Sequence, residues 1–74
     1  MGLSGIGGPS MKLISLYTPS QAKAIMAAQG ITGGLPPLGT TISLPMEENP
    51  EYVLLWKKEK RNRSWFYALY QAPR

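Results

Sequence analysis

The sequence predicts a small α+β domain, in which an antiparallel β-sheet carries one short helix on one of its faces. Three observations lead to this prediction. A chain of 74 residues is one domain at most. Its elements read in the order β-α-β-β-β, which is typical of helices segregated to one side of a sheet. The last two strand segments are predicted to form a hairpin.

The first ten residues differ in composition from the rest of the chain. Residues 1–10 contain four glycines, two serines and one proline. Such a segment has high backbone entropy and little apolar area to offset it. We interpret it as a flexible Gly-rich tail, of native or expression-vector origin, and residues 11–74 as a single α+β domain.

The strongest local signal lies between the first strand and the helix. Residues 11–17 are rich in strand formers. Thr18, Pro19 and Gln21 then supply an N-cap hydroxyl, a proline at the first helical position and a glutamine at N3, which together predict a capping box. Good helix formers follow, and Gly30 predicts a Schellman ending. The helix is therefore expected to span about three turns.

The second strand follows a loop. Residues 31–39 hold three glycines and two prolines and are predicted to be irregular. Residues 40–44 alternate between polar and apolar side chains, which predicts a half-buried strand ended by Pro45. An acidic turn with Asn49 and Pro50 as its initiator leads to the third strand.

The third and fourth strands are predicted at residues 52–58 and 65–71. If the hairpin loop is centred between residues 60 and 61, Trp56 lies opposite Trp65. A two-residue turn favours Asn-Gly, and this loop has no glycine. We therefore expect a loop of four or five residues with Asn62 at positive φ, in which case the register shifts by one or two positions.

The missing residue types exclude most catalytic chemistry. The chain has no cysteine and no histidine, and all four of its acidic residues are glutamates. It thus lacks a thiol, an imidazole base and the usual partners of a hydrolytic triad, so we expect neither an enzyme nor a cofactor. A solvated turn is a better interpretation of Glu47, Glu48 and Glu51 than a metal site. No run approaches the roughly 20 apolar residues that cross a bilayer, so no membrane partner is expected.

The net charge of +4 is concentrated in residues 57–63, which carry five basic residues and one acidic residue. The remaining three basic and three acidic residues cancel. One helix cannot cover both faces of a four-stranded sheet, so aromatic surface of the last two strands must stay exposed or be buried by a second molecule. The predicted partner-binding residues combine these cations with nearby aromatic rings: Trp56, Lys57, Lys58, Lys60, Arg61, Arg63, Trp65 and Tyr67.

A basic, aromatic-flanked β-hairpin over residues 52–71 fits two binding functions. In the first, its cations contact the phosphates of a nucleic acid while exposed aromatics at its base, chiefly Trp56 and Trp65, stack on bases. In the second, it binds an acidic surface of a larger protein such as RNA polymerase, because Trp, Tyr and Arg are enriched in binding hot spots. A solvated tip that deters edge pairing is the competing structural interpretation.

In size and economy, though in no motif, the chain resembles phage-encoded regulators that act on a host machine such as RNA polymerase. We therefore expect a small, non-enzymatic, cytoplasmic regulator of transcription or of nucleic-acid machinery. Two alternatives stay open. One is a phage-type inhibitor or adaptor that binds only a host protein, and the other is a homodimer that buries the uncovered sheet face.

Overall fold

The computed structural model describes residues 11–74, so the prediction of a flexible tail over residues 1–10 lies outside the described part of the chain. The predicted α+β fold and its β-α-β-β-β order are confirmed. The elements are β1 (Lys12–Tyr17), α1 (Pro19–Ala28), β2 (Thr41–Pro45), β3 (Tyr52–Arg61) and β4 (Ser64–Pro73).

The four strands form one antiparallel sheet in the order β1-β4-β3-β2. The two longest strands, β3 and β4, form its centre and are paired along their whole lengths. Strands β1 and β2 lie at opposite edges, against β4 and β3 respectively. Since α1 and the loop after it connect these two edges, they must cross one face of the sheet.

Both predicted helix signals are confirmed. At the start of α1, the Gln21 amide donates to Thr18 Oγ1 at 3.2 Å and the Thr18 amide donates to Gln21 Oε1 at 3.1 Å, which is the expected capping box. At its end, the Ile31 amide donates to the Met26 carbonyl at 2.9 Å. Gly30 adopts a φ of 85°, the left-handed conformation that the Schellman ending requires.

The core lies between α1 and the sheet, with Trp56 at its centre. The Trp56 side chain is fully buried, and its Nε1 donates to Gln29 Oε1 at 2.8 Å. The Tyr67 hydroxyl donates to the Pro36 carbonyl at 2.9 Å, which ties the loop after α1 to β4. The buried cluster comprises Ala22, Met26, Trp56, Tyr67 and Leu69.

No described helix crosses the opposite face of the sheet. Its apolar side chains on β3 and β4 are nevertheless buried or half-buried. Ala68 is fully buried there, and its neighbours on the same face of β4 are the half-buried Phe66 and Tyr70.

The hairpin register differs from the sequence prediction. Trp56 lies opposite Leu69, and Trp65 lies opposite Lys60, so the predicted pairing of Trp56 with Trp65 is wrong. Both strands also continue further toward the turn than the apolar pattern indicated. The reason is that the chain reverses between residues 62 and 63, two positions later than the centre assumed from the sequence.

The turn itself is tight. Only Asn62 and Arg63 lie between the last paired residues of the two strands, so the expected loop of four or five residues is wrong. The predicted positive φ at Asn62 is confirmed at 51°, and Arg63 also has a positive φ of 68°. Two consecutive residues in this region form a type I′ turn, whose twist matches that of the strands. Long paired strands thus impose on Arg63 a conformation that usually selects glycine.

Replacing Arg63 by glycine should stabilise the domain by about 0.5 to 1 kcal/mol. A left-handed residue other than glycine costs roughly 1 to 2 kcal/mol, and the extra freedom of glycine in the unfolded chain offsets part of the gain. Urea unfolding measures the difference. The matched variant Asn62→Gly should gain less, because asparagine adopts this conformation more readily. If Arg63→Gly were less stable than wild type, this account of the turn would be contradicted.

Candidate functional site

The β3–β4 hairpin extends past the rest of the sheet at its turn end. Strand β2 pairs with β3 no further than Lys57, and β1 pairs with β4 no further than Tyr67. The paired residues among 58–66 therefore have sheet partners only on the opposite strand of the hairpin, and we call this two-stranded segment the ribbon. At about 3.3 Å per residue, its β3 strand reaches roughly 13 Å beyond the last flanking pair.

Alternate residues of the ribbon point to opposite sides of the sheet, so its two faces differ in chemistry. The face that continues the α1 side, which we call the basic face, carries Lys58, Lys60 and Trp65. The other face, which we call the mixed face, carries Glu59, Arg61 and Phe66. Only the mixed face of the ribbon has a carboxylate.

On the basic face, two ammonium groups lie beside one exposed indole. Trp65 is 40% exposed, and the Nζ atoms of Lys58 and Lys60 lie 4.9 and 5.7 Å from its ring centroid. These distances are those of cation–π contacts, which hold the lysines near the ring without neutralising their charge. Among residues 11–74 the single salt bridge is elsewhere, between Arg61 and Glu59. Both ammonium groups can therefore meet an incoming anion.

On the mixed face, Glu59 is the acceptor for two neighbouring side chains. Arg61 donates to Glu59 Oε1 through Nη2 at 2.7 Å and through Nε at 3.2 Å. The Tyr70 hydroxyl donates to Glu59 Oε2, and the Nζ atom of Lys57 lies 5.9 Å from the Tyr70 ring centroid. The positive charge of this face is thus partly compensated within the fold.

The contacts of Glu59 change the acidity of the groups in this network. Burial alone raises the pKa of Glu59, but hydrogen bonds from Tyr70 and Arg61, together with the charges of Arg61 and Lys57, outweigh it and hold that pKa below its ordinary value. The hydrogen bond to Glu59 raises the pKa of Tyr70, and burial raises it further. The network is therefore stable with Glu59 ionised and Tyr70 neutral.

This network predicts a loss of stability in acid. Because the pKa of Glu59 is lower in the folded than in the unfolded chain, its contribution is complete above the ordinary glutamate pKa of about 4.3 and is lost as the pH falls through the folded pKa. By the same argument, the contribution of Tyr70 is complete below about pH 10 and is lost as the pH rises through its raised pKa.

Urea unfolding between about pH 3 and pH 7 measures the acid-side effect. Glu59→Gln should lose less stability on acidification than wild type, because the titrating group is removed. Glu48→Gln, at an exposed position between β2 and β3, should behave like wild type. Equal acid-induced losses in wild type and Glu59→Gln would show that Glu59 is not stabilised in the folded state.

The structure brings some of the predicted partner-binding residues together and separates others. Lys58, Lys60 and Trp65 share the basic face, and Arg63 lies at the turn. Arg61, with its carboxylate partner, lies on the mixed face, and Lys57 lies on the same side of the sheet beside Tyr70.

The expectation that Trp56 is exposed at the base of the hairpin is wrong. Trp56 and Tyr67 are buried, because the register shift places them under α1 and the following loop. Tyr70 was not among the predicted site residues. Its contact with Glu59 joins positions eleven residues apart across the hairpin, which only the register could have indicated.

Comparison with protein-family models, with curated proteins and with solved structures finds no match to this chain. Within the described residues, no helix has the length and apolar character needed to cross a membrane. Over the same residues, no three acidic, histidine or cysteine side chains lie close enough to hold a metal ion. A functional assignment therefore depends on the geometry of the ribbon.

Proposed function

We propose that the protein binds nucleic acid through the basic face of the ribbon, and that it acts in this way as a small non-enzymatic regulator of transcription or of nucleic-acid machinery in the cytoplasm. One observation carries the proposal. Lys58 and Lys60 lie beside the exposed ring of Trp65 on a projecting ribbon face that has no carboxylate. Cations that contact phosphates beside a ring that contacts bases are the two components of non-specific nucleic-acid binding.

The division of charge between the two ribbon faces supports this choice of surface. Glu59 offsets part of the charge of Arg61 on the mixed face and of Lys57 on the same side of the sheet. The basic face and the turn together offer three cations, Lys58, Lys60 and Arg63, none of which is paired with a carboxylate in residues 11–74. A polyanion is therefore attracted more strongly to the basic face than to the mixed face.

The position of the ribbon also supports the proposal. No flanking strand of the described fold restricts access to residues 58–66 from either side. A two-stranded ribbon is narrow enough to enter the major groove of a duplex, about 12 Å wide, and a single strand can also follow its face. The rest of the sheet then serves to hold the ribbon at a fixed orientation.

The salt dependence of binding tests the proposal. Affinity for a fluorescent oligonucleotide, measured by anisotropy, should fall steeply with salt. If three phosphates are neutralised, the slope of log affinity against log salt is about −2 for a single strand and about −3 for a duplex. Affinity that is indifferent to salt, or no binding at low salt, would contradict the proposal.

Recovery of the bound material from a cell lysate distinguishes a nucleic-acid target from a protein target. We expect material retained by the immobilised protein to be lost after nuclease treatment and to be reduced by Lys58→Gln. A protein that is still retained after the nuclease, in a manner that depends on Lys58, would instead favour an acidic protein surface, such as one on RNA polymerase.

A further inference from the structure

Trp65 differs from the other aromatic side chains in residues 11–74 in its exposure to solvent. It is the one aromatic side chain classed as exposed, whereas the others are buried or half-buried. It lies on the ribbon, outside the region where α1 and its loop cover the sheet. An exposed apolar ring beside two cations gains free energy if a flat ligand covers it.

We infer that the ligand of the ribbon is single-stranded nucleic acid, with one unpaired base stacked on Trp65. This inference rests on the proposed function. In a duplex the faces of the bases are covered by their neighbours, and only the base edges are open in the grooves. An indole ring on a β-ribbon has no base face to contact there. Unpaired bases present their faces, and aromatic side chains are the platforms on which they stack.

The cations beside Trp65 fit the same ligand. Because the ammonium groups of Lys58 and Lys60 lie 4.9 and 5.7 Å from the ring centroid, a base on the ring brings its flanking phosphates close to them. Arg63 at the turn extends the positive surface along the bound nucleic-acid strand. The site is therefore short, with room for one stacked base and about three phosphates, and it tolerates any base because every base has a π-face.

Three probes of equal length separate stacking from charge: a thymidine oligonucleotide of about eight bases, the same strand without bases, and the corresponding duplex. Wild type should bind the thymidine strand about tenfold more tightly than the abasic strand, and more tightly than the duplex. Trp65→Leu should bind the thymidine and abasic strands equally, while Trp65→Phe, which keeps a smaller ring, should recover part of the difference. Circular dichroism shows whether each variant is folded.

Tryptophan fluorescence gives an independent readout of stacking. The thymidine strand should quench the emission of wild type but not that of Trp65→Leu, in which the buried Trp56 is the remaining indole. Equal, salt-dependent affinities of wild type for the thymidine and abasic strands would overturn the stacking inference and leave the proposed function standing, as would tighter binding to the duplex. No binding to any of the three probes at low salt would overturn the proposed function as well.

Discussion

Replacing Trp56 by alanine should lower the free energy of unfolding by about 3 to 5 kcal/mol, the usual cost of removing a large buried aromatic ring. Trp56 is fully buried against α1, and its loss also leaves Gln29 Oε1 without its donor. A domain of this size has a total stability of roughly 4 to 11 kcal/mol, at about 0.05 to 0.15 kcal/mol per residue. Trp56→Ala should therefore remove a large fraction of the total stability.

The matched variant Trp65→Ala should cost less than about 1 kcal/mol, because the Trp65 ring is 40% exposed on the ribbon and makes weak cation–π contacts with two lysine side chains. Urea unfolding of both variants beside Trp56→Phe measures these differences, and the phenylalanine variant should lie between wild type and Trp56→Ala. Equal losses at the two tryptophan positions would contradict the division between a core ring and a surface ring.

The double substitution Lys58→Gln/Lys60→Gln should weaken binding to a single-stranded oligonucleotide by roughly tenfold to thirtyfold near 0.1 M salt. Each phosphate contact contributes about 0.7 to the slope of log affinity against log salt, so two lost contacts should make that slope shallower by about 1.4. Fluorescence anisotropy over a range of salt concentrations measures both quantities in one series. The fold should be retained, because both side chains lie on the ribbon outside the core.

Two control pairs match this variant in charge. Lys12→Gln/Lys23→Gln removes the same two charges from exposed positions on β1 and α1, and it should change affinity only slightly. Lys57→Gln/Arg61→Gln removes them from the mixed-face side of the sheet and should have an intermediate effect, since Glu59 already offsets part of that charge. If the Lys12/Lys23 pair lost as much affinity as the Lys58/Lys60 pair, binding would depend on net charge and not on the ribbon.

The helix could be predicted closely because its signals are local. The capping box joins Thr18 to Gln21, three residues apart, and the ending joins Met26 to Ile31, five residues apart. Contacts over such short separations depend on residue types at fixed spacing and hardly on the rest of the fold. The order of the elements along the chain followed from similar reasoning about turns and alternation.

The hairpin register could not be predicted, because the composition of the turn was misleading and the apolar pattern of the strands did not specify the pairing. The absence of glycine argued against the two-residue turn that Asn62 and Arg63 in fact form. Both strands are also apolar on both faces at their centres, so the pattern of side chains does not fix the pairing. The shift moved the partner of Trp56 by four positions, an even number, so Trp56 and Trp65 still share a face but lie far apart along it.

The distance between Trp56 and Trp65 along this face determines where the candidate site lies. The sequence correctly located five of the eight basic residues in one segment and grouped the aromatic residues by face. It could not show that α1 covers Trp56 while Trp65 lies on the ribbon beyond it, nor that Glu59 is held on the mixed face by Arg61 and Tyr70. These features depend on contacts between residues distant in the chain.

Titration of the isotope-labelled protein with a thymidine oligonucleotide, followed by amide and indole NMR resonances, tests the central claim most directly. We expect the largest shifts at the amides of Lys58 and Lys60 and at the Trp65 indole N–H, because these three residues supply the side chains of the basic face. The Trp56 indole N–H, which donates to Gln29 inside the core, should stay almost unchanged. Shifts centred on α1 or β2 with an unchanged ribbon, or no shifts at low salt, would contradict the account.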